Sequence, residues 1–191
     1  EMCIRDRYNV IPIYISKKGF LYTGDDLMKM DAFKNMEALL KKSFRVILVN
    51  TEHGVQIEKY PRPMFGGVLG SIDVAVPVVH GTNGEDGTLQ GYLEMLGVPY
   101  AGCNVLSSAI GMDKVLMKKI LKEHGVPVLD CEYFYTREWF EKKQLVVNQI
   151  EKLGYPVIVK PANLGSSVGI KKAADRGELE EAVELAASFA D

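Results

Sequence analysis

IDVAVPVV, residues 72–79, decides the fold of the first half of this chain, and it runs directly into the loop HGTNGEDG, residues 80–87. A nearly continuous apolar run of this length fits a strand buried on both faces of a parallel sheet. Pro77 has no N–H and would cost a ladder bond in a central strand, so an edge or an irregularity is expected there. A helix over about 87–96 follows the loop and is closed by Gly97 in the usual C-terminal position. The short run VPYAG, 98–102, then reads as another strand. Strand, loop, helix and strand make a βαβ unit. The first part is therefore expected to be α/β, a Rossmann-like parallel sheet with helices on both faces.

Upstream, YNVIPIYI (8–15), FLYT (20–23), FRVILV (44–49) and VQIEK (55–59) are β-branched and aromatic and read as strands. Leu27, Met30, Phe33, Met36, Leu39 and Leu40 recur at helical spacing and predict an amphipathic helix over 25–41. Pro61, Pro63 and the glycines at 66, 67 and 70 break regular structure. The opening Glu1 to Arg7 has no apolar period, resembles a translated adapter tail, and is set aside as a non-native leader.

Downstream, a second part is expected from 104 to 191. Helix 113–124 opens with Asp113 as N-cap and ends at Gly125, with Pro127 beyond. A strand near 131–135, a helix over 137–153 closed by Gly154, and the strands PVIVK (156–160) and VGIKK (168–172) follow. The last helix begins at Asp175 with Glu178 as capping-box partner, and Leu179, Ala182, Val183, Ala186 and Phe189 form its apolar face.

Composition sets the class. The 191 residues are 47% hydrophobic and 25% charged, which is ordinary globular composition for one domain or parts of two. A net charge of −2 provides no basic patch for nucleic acid. No apolar run reaches membrane-spanning length. Cys3, Cys103 and Cys131 are odd in number and far apart, which fits a reducing cytoplasm better than a disulfide framework or a zinc site.

Three segments carry candidate chemistry. In VIVKPANLGSSVGIKK (157–172), strand alternation places Ile158 and Lys160 on one face. A buried lysine there needs an anion. Gly165, Ser166, Ser167 and Gly169 follow, and successive N–H groups with two hydroxyls can cradle a phosphate. A Gly/Ser hairpin with a lysine reaching solvent is the plainer alternative. The GxxxxGK[ST] order of a P-loop is absent. In the second segment, His80, Glu85 and Asp86 lie past the end of the presumed strand, where open α/β sheets place ligands. They read either as a polar pocket for a small zwitterion or as routine caps at the start of a helix. In SAIGMDKVLMKKIL (108–121), Lys114 sits in the first turn of its helix, the less favourable end for a cation. That points to an anionic partner or to a solvated lysine.

The order HGxxGEDGxxQGxLExxGxPYxG, MDKxxxKxxLxxxGxPV, GYPVIVKPxxxGSSVGI resembles the D-alanine–D-alanine ligase family of the ATP-grasp superfamily, closely from about 72 to 191 and more loosely from 8 to 71. The resemblance implies a Rossmann-like substrate domain over 8–103, lacking its first strand, and the truncated start of an ATP-grasp α+β domain over 104–191. It implies the substrates ATP and D-alanine, with Mg²⁺ or Mn²⁺, in the cytoplasm. The carboxylate of one D-alanine takes the γ-phosphoryl group, and the amine of a second attacks the acylphosphate, giving a peptidoglycan precursor. Such chemistry depends on positioning and charge neutralisation. By position, Lys114 and Lys160 resemble ATP-phosphate ligands. Gly165, Ser166, Ser167, Val168 and Gly169 resemble the loop over the γ-phosphate. Ser166 also resembles a group at the amino-acid site, His80 a contact of the first D-alanine, and Glu85 its neighbour. Ser166 and His80 are the candidate catalytic residues, with no covalent role for Ser166 because no histidine–acid pair in the motif would activate it. Metal ligands and the adenine site are expected beyond Asp191, so the fragment alone is expected to be inactive. A homodimer is also implied, with Met64–Phe65 to Leu69 as the candidate exposed apolar surface. The rivals are a D-alanine–D-lactate or D-alanine–D-serine ligase, another ATP-grasp ligase, and a non-catalytic nucleotide-binding module. The last would show a GxGxxG turn, which is absent here.

Overall fold

The computed structural model describes residues 7–189. The leader assigned to residues 1–7 lies outside the described residues except for Arg7, as does Cys3. The chain divides into two compact units, Glu1–Ala75 with Leu93–Tyr100, and Val76–Tyr92 with Ala101–Asp191.

The first unit holds β1 (Ile13–Ile15), β2 (Leu21–Thr23), β3 (Phe44–Thr51), β4 (Gly54–Lys59) and β5 (Val68–Ile72), in spatial order β1-β2-β3-β4-β5. Every neighbouring pair is antiparallel. This overturns the expected parallel Rossmann-like sheet, and short connections are the physical reason. β3 and β4 pair out to Thr51 opposite Gly54, so only Glu52 and His53 separate them. A two-residue turn can join antiparallel strands only, since a parallel return needs a crossover of a dozen residues or more. β1 and β2 are likewise joined by a tight turn, in which Gly19 has φ +76° and its N–H donates to Ser16 O at 2.8 Å. Val46, Val55 and Ile57 carry the buried face of β3 and β4, and Leu39 packs with the same unit.

The run 72–79 is not a doubly buried strand. Ile72 ends β5 opposite Val55, and beyond it the one pairing among the described residues is an isolated parallel bridge, Ala75 to Tyr100, in which the Ala75 N–H donates to Pro99 O at 2.8 Å. Val74, Val76 and Val78 are 52%, 68% and 83% exposed, so the run alternates like a half-covered extended segment. The predicted helix over 25–41 is also broken. It becomes two 3-10 turns, Asp25–Met28 and Met30–Lys34, and a short helix α1, Met36–Lys42. Lys29 and Asn35 leave helical geometry, and the Asn35 side chain accepts the Ala38 N–H at 3.0 Å. An asparagine able to satisfy a free helix-end N–H favours a new N-terminus over continuation.

Helix α2, Thr88–Leu96, crosses the division between the units. The second unit continues with α3 (Val105–Met112), α4 (Lys114–Glu123), α5 (Thr136–Glu151), β6 (Val157–Val159), β7 (Lys171–Ala173) and α6 (Arg176–Ala187). Residues 131–135 form no strand, and 168–170 belong to the loop before β7. β6 and β7 pair antiparallel, Val157 with Ala173 through Val159 with Lys171. One face of this hairpin meets Trp139, Val146, Val147 and Ile150 of α5 and Leu179, Ala182 and Val183 of α6. Trp139 is 1% exposed and stacks on Phe134 with ring centroids 6.0 Å apart. Burying such a ring removes about 200 Å² from water, worth on the order of 5 kcal/mol. α6 is capped by Asp175, which accepts the Glu178 N–H at 2.9 Å, while Glu178 reaches back to the Ala174 N–H at 2.8 Å. This core fixes the inner face of the hairpin and leaves Ile158, 64% exposed, on the open face.

Candidate active site

The lysine that follows β6 and the helix that opens at Asp113 converge within the second unit. Asp113 ends α3 and caps α4, accepting the Val115 and Leu116 N–H groups at 2.9 Å each. This sharp change of direction aims Lys114 at the loop after β6. The Lys114 ammonium donates to Ala162 O at 3.1 Å and to Leu164 O at 2.5 Å, and its backbone N–H also donates to Ala162 O at 3.1 Å. Burial, and then the nearby charge of Lys160, push the Lys114 ammonium below its ordinary value of 10.5, with Asp113 opposing. Among the described residues neither Lys114 nor Lys160 forms an ion pair with a carboxylate. Two neighbouring lysines, only partly offset by Asp113, form a field that an anion would relieve.

Lys160 itself is exposed, on the open face with Ile158. The sequence argument from its burial therefore fails, and the desolvated member of the pair is Lys114. The loop that follows carries backbone strain. Ser166 and Ser167 have φ of +52° and +60°, in the left-handed region that serines rarely adopt, and Gly169 has φ +68°. The turn is closed by Val168 N–H to Gly165 O at 3.2 Å. Gly165, Ser166, Ser167 and Val168 are exposed. A Cβ on Gly169 would lie 2.9 Å from Pro161 Cγ and 3.0 Å from Phe189 Cδ2, so glycine is required there by conformation and by space. Strain held in an exposed loop beside two cations is the kind of outlier that accompanies ligand clamps.

The other candidate segment lies in the same unit. Residues 81–85 close on themselves: Gly84 and Glu85 N–H donate to Gly81 O at 3.1 and 2.9 Å, and Gly81 N–H donates to Glu85 Oε2 at 2.5 Å. His80 Nδ1 stands 3.7 Å from Glu85 Oε1, and the imidazole is 85% exposed. Partial burial would push the Asp86 carboxyl up, but the N–H groups of Asn83 and Thr88, at 2.7 and 3.0 Å, outweigh it and hold Asp86 below its ordinary value. Glu85 and Asp86 thus brace the loop: Asp86 also accepts the N–H of Thr88, the first residue of the following helix, whereas Glu85 bonds back to Gly81. Gly87 has φ +93°, and a Cβ there would meet Val105 O at 2.7 Å.

Lys114 is therefore joined to the loop after Lys160, and His80 is joined to Glu85. Among the described residues no hydrogen bond or ion pair links the two groups. Sequence reasoning missed Gln90, whose Nε2 donates to Gly84 O at 3.1 Å, and the capping of α3 by Asn104 through the Ser107 N–H at 2.9 Å. Asn104 has a legible signal, an asparagine just before an apolar run. Gln90 has none.

The sequence matches the family described as "D-ala D-ala ligase N-terminus" over residues 2–103 and "D-ala D-ala ligase C-terminus" over 120–191. It is 53% identical to a D-alanine–D-alanine ligase of Acetivibrio thermocellus over 193 residues, covering 96% of this chain and 51% of that protein. Identity to the Thermosipho melanesiensis ligase is 45% over 182 residues, with 94% and 47% covered. The chain spans about half the length of the curated relatives it matches. Among solved structures it resembles VanG D-Ala:D-Ser ligase from Enterococcus faecalis, with TM-score 0.76, 31% identity, and 97% of this chain and 51% of that one covered. The D-alanine–D-alanine ligase from Coxiella burnetii gives TM-score 0.73 and 31% identity, with 94% and 49% covered.

Proposed function

The chain belongs to the D-alanine–D-alanine ligase family, and we propose that the full-length protein joins two D-alanines at the expense of ATP, supplying a peptidoglycan precursor in the cytoplasm. The observation that carries this reading is the convergence of Lys114 and Lys160 on the strained serine loop. ATP supplies the phosphoryl group that activates the first carboxylate. Lys114 and Lys160 neutralise phosphate charge, and the N–H groups and hydroxyls of Ser166 and Ser167, with Gly165, Val168 and Gly169, close over it. Lys114 also holds the loop by its bonds to Ala162 and Leu164, so one side chain sets both the charge and the shape of the cradle. His80, braced by Glu85, faces solvent and serves the first amino acid. We assign the substrate domain to 8–103 and the ATP-binding part to the chain from 104, with the His80 loop clustering in the second compact unit.

Among the described residues no group of three or more histidine, cysteine, aspartate or glutamate side chains is placed to hold a metal. No helix among them is long and apolar enough to cross a membrane. Met64 and Phe65, 90% and 84% exposed, are the surface we assign to a homodimer contact.

The test is phosphate release from ATP by a chain of full family length, with D-alanine and with L-alanine as control. Release that requires D-alanine supports the reading. Nucleotide binding without release in the presence of either isomer would overturn it. The structural likeness to a D-Ala:D-Ser ligase favours one second reading, D-serine as acceptor, which the same assay decides by product analysis with both amino acids present.

A further inference from the structure

Gln90 lies in the first turn of α2, is 7% exposed, and spends its one described hydrogen bond outside its own helix. Its Nε2 donates 3.1 Å to Gly84 O, six residues back, while its Oε1 is buried and has no hydrogen-bond partner among the described residues. A buried unpaired acceptor costs stability that an apolar side chain of the same length would not. Reversing the amide would set two oxygens against each other, so the carbonyl of Gly84 fixes this orientation.

Gly84 is the pivot of the loop that carries His80. A Cβ on it would lie 2.8 Å from Val79 Cγ2, so the backbone is pressed against Val79 on one side and tethered by Gln90 through its carbonyl. Gly84 N–H closes on Gly81 O at 3.1 Å, and the Gly81 N–H is held by Glu85 Oε2 at 2.5 Å. His80 precedes that turn directly. A chain of contacts thus leads from a buried amide to an exposed imidazole: Gln90 to Gly84, Gly84 to the 81–85 turn, and the turn to His80 beside Glu85.

We propose that Gln90 is a positioning residue for the His80 loop, acting through the Gly84 carbonyl to hold the site of the first amino acid. This role in catalysis rests on the ligase reading above. The tether itself does not. Two measurements on the full-length chain therefore separate the two. Amide hydrogen exchange is read first, independently of activity. Gln90→Leu removes both the donor and the unpaired acceptor, and protection of the 81–86 amides is expected to fall at least tenfold with α5 and α6 unchanged. Unchanged protection at 81–86 would overturn the proposal whatever the enzyme does.

Kinetics are read second. Gln90→Leu is expected to raise KM for the first D-alanine about tenfold with KM for ATP unmoved, a split that general destabilisation would not give. Gln90→Glu supplies a signature of the donor. As a carboxylate it repels Gly84 O, and when protonated its O–H can donate there. The ratio of parent to Gln90→Glu activity should therefore shrink as pH falls, while the ratio for Gln90→Leu stays flat. Equal pH dependence of the two ratios, or a rise in KM shared by ATP, would overturn the positioning role. Loss of loop protection in Gln90→Leu, with a parent that shows no D-alanine-dependent turnover, would leave the tether standing and refute the ligase reading instead.

Discussion

Gly165 and Gly169 stand at the two ends of one loop and should respond oppositely to the same added methyl group. At Gly169 the backbone has φ +68°, which costs an alanine about 1–2 kcal/mol. The added Cβ also lies 2.9 Å from Pro161 Cγ and 3.0 Å from Phe189 Cδ2. Carbon pairs prefer roughly 3.5–4.0 Å, so several tenths of an ångström must be relieved. Phe189 is half exposed and can swing away, but the Pro161 ring is buried and rigid, so overpacking adds about 1–3 kcal/mol. Gly169→Ala is expected to destabilise by roughly 2–5 kcal/mol in total. At Gly165 nothing lies within 4 Å of the new Cβ and φ is not positive, so Gly165→Ala should stay within about 0.5 kcal/mol of the parent. Urea melts of both variants, followed by Trp139 fluorescence, measure the difference directly. Phe189 follows α6 and Pro161 follows β6, so the clash falls at the edge of the core that holds Trp139. Indistinguishable midpoints for the two variants would refute the loop conformation on which the proposed phosphate cradle rests.

Other consequences follow from the same geometry. Ser166→Gly removes a left-handed serine and should stabilise the protein by about 1 kcal/mol in a thermal melt while lowering turnover, because the hydroxyl is lost. Asp86→Ala leaves the Asn83 and Thr88 N–H groups unpaired and should cost about 1 kcal/mol at neutral pH. Because the Asp86 carboxyl is depressed in the folded state, its contribution is present above the ordinary 3.8 and is lost as pH falls through the depressed value. Parent and variant stabilities should therefore converge in acid. Lys114 is depressed below 10.5, so between its folded value and 10.5 the unfolded chain holds more protons and its contribution to stability rises with pH. An anion reverses the depression. Nucleotide binding in that window should take up protons, seen by calorimetry in buffers of different ionisation enthalpy, and Lys160→Met should reduce the uptake.

What the sequence disclosed depended on how local the cause was. The caps at Asp113 and Asp175 were legible because the capping residue and the N–H groups it satisfies lie within three positions. The apolar face of α6 through Leu179, Ala182 and Val183 was legible for the same reason, since helical period is a local signal. The run 72–79 misled because an apolar run reports hydrophobicity and not coverage, and Val74, Val76 and Val78 stand exposed. The antiparallel sheet was recoverable in principle from the two-residue turn at Glu52–His53, a signal outweighed by the βαβ pattern at 72–102. The break at Asn35 was a capping signal hidden inside a good helical period. In the candidate site, Lys160 and the serine loop were visible as a motif. The contacts of Lys114 with Ala162 and Leu164 were not, because they span 48 and 50 residues and involve backbone oxygens that carry no residue identity.

The central claim is that Lys114 and Lys160 together hold phosphate charge. Calorimetric titration of the full-length chain with ATP and with adenosine, for the parent, Lys114→Met, Lys160→Met and the double variant, tests it most directly. The account predicts that each single substitution weakens ATP at least tenfold, that the double loss is less than the product of the singles because the two charges share one ligand, and that adenosine affinity stays unchanged. Equal losses for ATP and adenosine, or undiminished ATP affinity in the double variant, would contradict it.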